Sequence, residues 1–171
     1  NTTAGYKNLL QVIKARQVSV QIVQAGAKAD FGDLHGIALT PIDDWTGQAP
    51  KNQHDANIVT FWQYGQETLL LTGDGETEQE EELARRNLLR PVTILKVGHH
   101  GSYTSTGDSF LTIIQPKMAI ISVGTKNRYG HPHQSTLDRL AKFNIPVLRT
   151  DQSGPILCDI TLVAFSCAGN K

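Results

Sequence analysis

Leu69-Leu70-Leu71-Thr72-Gly73-Asp74 is an apolar run that stops on a Gly-Asp pair, and the change of pattern just beyond it decides the fold. Residues 76–90 crowd acidic side chains into their first turns and carry Arg85, Arg86 and Arg90 near their end, with Pro91 just beyond. Charge placed that way complements a helix dipole at both ends, and the proline marks the stop. A second apolar run, residues 92–97, leads into Gly98-His99-His100-Gly101-Ser102. Strand, helix, strand is the unit of a sheet layered with helices.

Working outward, the same alternation continues towards the C-terminus. A helix is expected at about 108–115, a strand at 117–123, a helix at about 132–143 and strands near Val147, Ile156 and Leu162. Upstream, residues 58–64 and 68–72 are β-rich and joined by Tyr64-Gly65-Gln66-Glu67, the pattern of a hairpin with a two-residue turn. Residues 43–55 form a polar loop containing Pro and Gly, and a short strand precedes it at about 36–42. Apolar residues recur at helical spacing over 6–16, whereas Val18, Val20 and Ile22 alternate with polar neighbours, so a helix running into a strand is expected there. There is no internal repeat, low-complexity tract or interdomain linker. The reading is an α/β fold in a single domain, residues 1–171.

Composition narrows the function classes. With 171 residues and 39% hydrophobic content, the chain can bury a genuine core. Sixteen basic against sixteen acidic residues leave no net charge, so no overall field draws in nucleic acid or an anionic membrane, and any such contact must be local. No run reaches the roughly eighteen apolar residues of a membrane span, and the start lacks a signal-peptide pattern, so the chain reads as soluble. It starts without methionine and in mid-pattern, which reads as part of something longer. Cys158 and Cys167 are too few for a disulfide framework and have no metal spacing. They suit apolar strands, with a single disulfide between neighbouring strands left open.

Three polar clusters fall at strand ends, where α/β sheets tend to bind ligands. In the first, Asp74 is either a helix N-cap or an anionic oxygen ligand able to bridge two cations. In the second, a His pair framed by glycines favours metal binding over a structural role, because neutral imidazole is the commonest side-chain ligand and glycine permits tight turns. Adjacent residues on an extended chain point to opposite sides, so one of the two, His99 by preference, reaches the metal and His100 stands behind it or touches substrate. The third cluster, Gly124-Thr125-Lys126-Asn127-Arg128-Tyr129-Gly130-His131-Pro132-His133, is either a surface loop feeding a helix with Pro132 at its first position or a set of donors for an oxyanion.

In this order, and from about residue 55 to residue 157, the three clusters resemble the C-terminal domain of ComEC-like proteins in the metallo-β-lactamase superfamily. The segment Lys96-Val97-Gly98-His99-His100-Gly101-Ser102 followed by Gly130-His131-Pro132 is the more specific part of that resemblance. It implies an αββα sandwich, incomplete here on its N-terminal side, with a site for two divalent ions, Zn2+ or Mn2+. Asp74 matches the metal-bridging aspartate, His99-His100 the segment supplying a further histidine ligand, and His131 the third strand-end motif. Such domains are hydrolases associated with degrading the DNA strand that is not taken up during competence, on the outer side of the cell membrane.

The His-x-His-x-Asp-His run that supplies most ligands in that superfamily is absent. His35 and His54 are isolated, and His54-Asp55 reads as a loop pair before a strand. Asp74, one of His99 or His100, and at most His131 besides fall short of a four-coordinate zinc shell, so this chain alone is expected to hold metal weakly or not at all and to be inactive as a nuclease. In the complete domain His131, helped by Lys126 and Arg128, would act on a phosphodiester polarised by two metals. A membrane would be reached only through other parts of such a protein. Competing readings are an esterase for small phosphodiesters on the same fold and a non-catalytic binding or assembly domain.

Overall fold

The computed structural model describes residues 3–48, 50 and 52–170. Asn1 and Thr2, whose character bears on the expected N-terminal start, and positions 49 and 51 of the expected 43–55 loop lie outside the described residues.

Helix α1 (Ala4–Ala15) leads, capped by the Thr3 hydroxyl accepting from the Tyr6 N–H, and it buries none of its residues. The strand expected at Val18, Val20 and Ile22 does not form. Those side chains stand exposed, and alternation alone makes no strand without a neighbouring ladder. Pairing begins with β1 (Lys28–Phe31), which the sequence reading missed, and β2 (Leu34–Ala38), shorter than the run expected at 36–42. Then come β3 (Thr60–Tyr64) and β4 (Glu67–Leu71), the expected hairpin, with Gly65 at φ +57° in its turn.

From β4 onward the sheet becomes parallel: β5 (Ile94–Lys96), β6 (Met118–Ile121) and β7 (Val147–Arg149) follow in order and complete seven strands. The crossovers are α2 (Thr77–Arg85), α3 (Asp108–Ile114) and α4 (Gln134–Lys142). Right-handed connections between strands taken in sequential order place all their helices on one face. The core agrees: Leu83, Phe110, Leu111, Ile114 and Leu140 from the helices meet Phe61, Leu70, Leu95, Ala119 and Ile121 from the strands. The opposite face, with Trp62, Leu69, Leu71 and Ile120, is only half-buried.

Helix α2 stops at Arg85 rather than at residue 90, because Asn87 takes a left-handed conformation. The Asn87 N–H bonds the Ala84 carbonyl and the Leu88 N–H bonds the Leu83 carbonyl, a Schellman motif. A short helix α5 (Thr150–Ser153) precedes a separate hairpin, β8 (Ile156–Ile160) and β9 (Phe165–Gly169). Leu162, expected in a strand, sits in its turn, where its carbonyl accepts the Gln66 N–H. Cys158 and Cys167 are directly paired across this hairpin and joined by a disulfide. Among the described residues, no helix is long and apolar enough to cross a membrane.

Candidate metal centre

Strands β4, β5 and β6 run in the same direction, so the loops after Leu71, Lys96 and Ile121 leave from one edge of the sheet. Thr60 pairs with Leu71, which brings the segment entering β3 to that edge as well. Residues 53–59, 72–76, 97–107 and 122–133 therefore converge.

The Gly73-Asp74 turn is held by Asn57. The Asn57 side-chain amide donates to the Thr72 carbonyl at 2.9 Å, and its oxygen accepts the Asp74 N–H at 3.0 Å. Gly73 sits at φ +56°, where a Cβ would stand 2.2 Å from that same oxygen. Asp74 is not the helix cap that its sequence context allows. Helix α2 begins two residues later with Glu76 as N-cap, and the Glu76 carboxylate makes no cap hydrogen bond. The Asp74 side chain is left half-exposed towards the histidines.

His99 and His100 are not on an extended chain. Both adopt left-handed conformations (φ 46°, ψ 43° and φ 56°, ψ 23°), so the expectation that they point to opposite sides fails. Two consecutive non-glycine residues of this kind carry on the order of 1–3 kcal/mol of strain each and persist only where their surroundings over-determine them. The surroundings are visible. The Ser105 hydroxyl donates to the Gly98 carbonyl, the Thr136 hydroxyl to the Ser102 carbonyl, and the His133 N–H to the Gly101 carbonyl. The Thr106 and Gly107 N–H groups both donate to the buried Glu80 carboxylate. Burial pushes Glu80 up to about 7, while those two donors and the Arg139 guanidinium pull it down.

His100 Nδ1 lies 2.7 Å from the Ser122 carbonyl. A carbonyl can only accept, so Nδ1 is the donor in this bond and the ring is oriented with Nε2 towards the sheet edge. That Nε2 stands 3.4 Å from Asp74 Oδ1. His99 turns the other way: its Nδ1 is 3.2 Å from Glu76 Oε1, and its ring lies 4.9 Å from that of His54. The His131 ring faces both, at 5.6 Å from His99 and 6.5 Å from His100. Asn127 clasps the backbone of His131, accepting its N–H at 2.9 Å and donating to its carbonyl at 2.7 Å. Burial holds the His131 imidazole below its ordinary range; His133, His99 and His100 act in the same sense and Asp74 opposes them.

Pro132 is not at the first helical position. The 131–133 segment is drawn across the histidine turn by the His133–Gly101 bond, and α4 starts at Gln134 with His133 as N-cap. Lys126 and Arg128 stand exposed on the loop, with the Arg128 guanidinium donating to the Tyr129 hydroxyl at 2.9 Å. Lys96 bonds the Val97 carbonyl, and burial lowers its pKa against the pull of Asp74.

Sequence reasoning missed His54 and Glu76. His54 is not a plain loop residue: it lies on a 3-10 turn, Gln53–Ala56, whose N-cap Asn52 accepts the His54 N–H while Asp55 accepts the Asn52 N–H. The available signal was the hairpin register, which places the residues leading into Thr60 beside those leaving Leu71.

Imidazoles and carboxylates converging at the strand-end edge of an α/β sheet define a candidate site for a divalent metal ion. No protein-family model matches the chain. It is 39% identical over 150 residues to ComE operon protein 3 of Bacillus subtilis (strain 168), covering 88% of this chain and 19% of that protein. It is 41% identical over 132 residues to Recombination protein 2 of Haemophilus influenzae, covering 77% and 16%. Over 95 residues it is 41% identical to Competence protein ComA of Neisseria gonorrhoeae, covering 54% and 14%. The matched stretch is that of ComEC-like competence proteins, and the chain spans about a fifth or less of the length of these relatives. Among solved structures, a CmlA beta-hydroxylase E377D mutant aligns with a TM-score of 0.48 and 10% identity, covering 77% of this chain and 32% of that one.

Proposed function

We propose that this chain is the Asp74–His131 side of a divalent-metal-dependent phosphodiester hydrolase that cuts DNA during competence uptake. The observation that carries the reading is His100, whose Nδ1 donates to a backbone carbonyl so that its Nε2 faces the Asp74 carboxylate. That is how a histidine is oriented to serve as a ligand. The names of the relatives supply the competence context.

Asp74 and His100 would hold one ion and His99 would serve a second, Zn2+ or Mn2+, and the fit rests on their donor chemistry, imidazole and carboxylate. When bound, such ions polarise a phosphodiester and favour attack by water. His131, whose pKa burial and the neighbouring histidines lower and whose backbone Asn127 clasps, would present a ring nitrogen to the phosphate group. Lys126 and Arg128 add local positive charge at the rim, which a chain of zero net charge needs for a phosphate substrate.

Cleavage of labelled single- and double-stranded DNA with Mn2+ or Zn2+ tests the reading, using this chain alone and a longer protein that restores the His-x-His-x-Asp-His segment. The expected result is cleavage by the longer protein only, abolished by Asp74→Asn and lowered about a hundredfold by His131→Ala with folding intact. Cleavage in the longer protein that survives Asp74→Asn would overturn it.

A further inference from the structure

We infer that His54, Glu76 and His99 form a self-contained binding site for one divalent transition metal within this chain, separate from the Asp74–His100 pair. One ligand atom from each of the three side chains lies within 4.8 Å of the others. Donors bound at about 2.0–2.2 Å in tetrahedral geometry stand about 3.4 Å apart, so modest side-chain rotation closes the set around an ion. Two imidazoles and one glutamate match a catalytic-type zinc shell that leaves a fourth position open.

The site has the supports of a built one. The Thr104 hydroxyl donates to Glu76 Oε1 at 2.8 Å and is itself 2.9 Å from the Ser102 hydroxyl, so the carboxylate is aimed by a polar chain. Glu76 occupies the N-cap of α2, yet its side chain turns to His99 instead of the helix N–H groups. Glu76 and His99 are about three-quarters buried, with side-chain exposures of 25% and 24%, whereas Asp74 and His100 are half-exposed at 50% and 48%. His99 is fixed by its backbone N–H to the Gly73 carbonyl, and His54 by the bond from the Gln79 amide to its own carbonyl. The donors at this edge thus divide between two poles, and the more enclosed pole owes nothing to the missing His-rich run. The expectation of weak or absent metal binding left both His54 and Glu76 out of the count.

The inference deepens the metal-binding role proposed for His99 but needs no hydrolysis, and its test reads binding alone, so it can fail while the nuclease reading stands, and the reverse. Metal-free chain is titrated with Co2+, following visible absorption and heat, and then with Zn2+ in competition. The expected result is one equivalent with the intense visible bands of a low-coordinate site. His54→Ala and Glu76→Gln should each weaken it at least about a hundredfold, and Thr104→Ala about tenfold. Asp74→Asn and His131→Ala should leave it in place, and the metal-free thermal midpoint of His54→Ala should match the parent. No Co2+ bands above those of His54→Ala would overturn the inference and leave an ordinary imidazole–carboxylate pair. Bands lost in Asp74→Asn but kept in His54→Ala would overturn it equally.

Discussion

The parallel half of the sheet, β4 to β7, and the antiparallel half with α1 are built from similar amounts of apolar sequence and end up differently. In the parallel half every strand delivers its C-terminal end to one edge, and every crossover helix covers one face. The polar residues that follow the strands accumulate in one place while the apolar ones vanish into one core. In the antiparallel half the strand direction alternates, so loops leave from both edges, and only the segment before β3 reaches the site. Helix α1 buries nothing, and Val18, Val20, Ile22 and Phe31 stay exposed. Strand direction, more than composition, decides where chemistry can gather.

The largest test of that contrast is a pair of identical deletions. Leu95 is fully buried in β5 whereas Leu9 on α1 is 55% exposed. Leu95→Ala should lower stability by about 2–5 kcal/mol. Leu9→Ala should change it by less than about 0.5 kcal/mol. Chemical denaturation of both variants decides it, and comparable losses would break the comparison.

Next in size is a pH effect confined to the parallel half. Glu80 is pushed up to about 7 from 4.5. Between those values the folded carboxyl keeps its proton where the unfolded one has lost it, so this group's contribution is present in acid and is lost as pH rises through that window. It amounts to on the order of 3 kcal/mol. Thermal midpoints of the parent and Glu80→Gln from pH 4 to 8 should show the parent's relative advantage shrinking towards neutrality. A pH-independent difference would contradict it.

A smaller effect probes the junction between the halves. Asn57, just before β3, holds the Gly73-Asp74 turn after β4 through two hydrogen bonds. Asn57→Ala should cost about 1–3 kcal/mol. The Asp74 amide should also exchange with solvent faster while the β5 amides stay protected. Unchanged exchange at Asp74 would show that the turn stands without the antiparallel half.

Legibility in the sequence divides along the same line. The β3–β4 hairpin, the strand–helix alternation of residues 76–149 and the strand-end position of all three polar clusters were legible, because each is written in a local period, a turn signal or a charge gradient. The strand expected at Val18 to Ile22 was not real, and β1 went unseen. A short run of alternating residues becomes a strand only if a neighbour accepts its hydrogen bonds, and the neighbour is not a local property.

The amino-acid sequence by itself determined the α/β class, the resemblance to ComEC-like proteins and the candidates Asp74, His99, His100 and His131. Periodicity and motif order are properties of the chain alone. Tertiary structure decided which of these residues meet. It turned His99 and His100 into consecutive left-handed positions, paired His100 with Asp74, and sent His99 to Glu76 and His54. It also joined Cys158 to Cys167. His54 lies far from His99 along the chain, and only the β3–β4–β5 register brings their rings to 4.9 Å. A contact of that kind depends on strand order and direction, which no local pattern encodes.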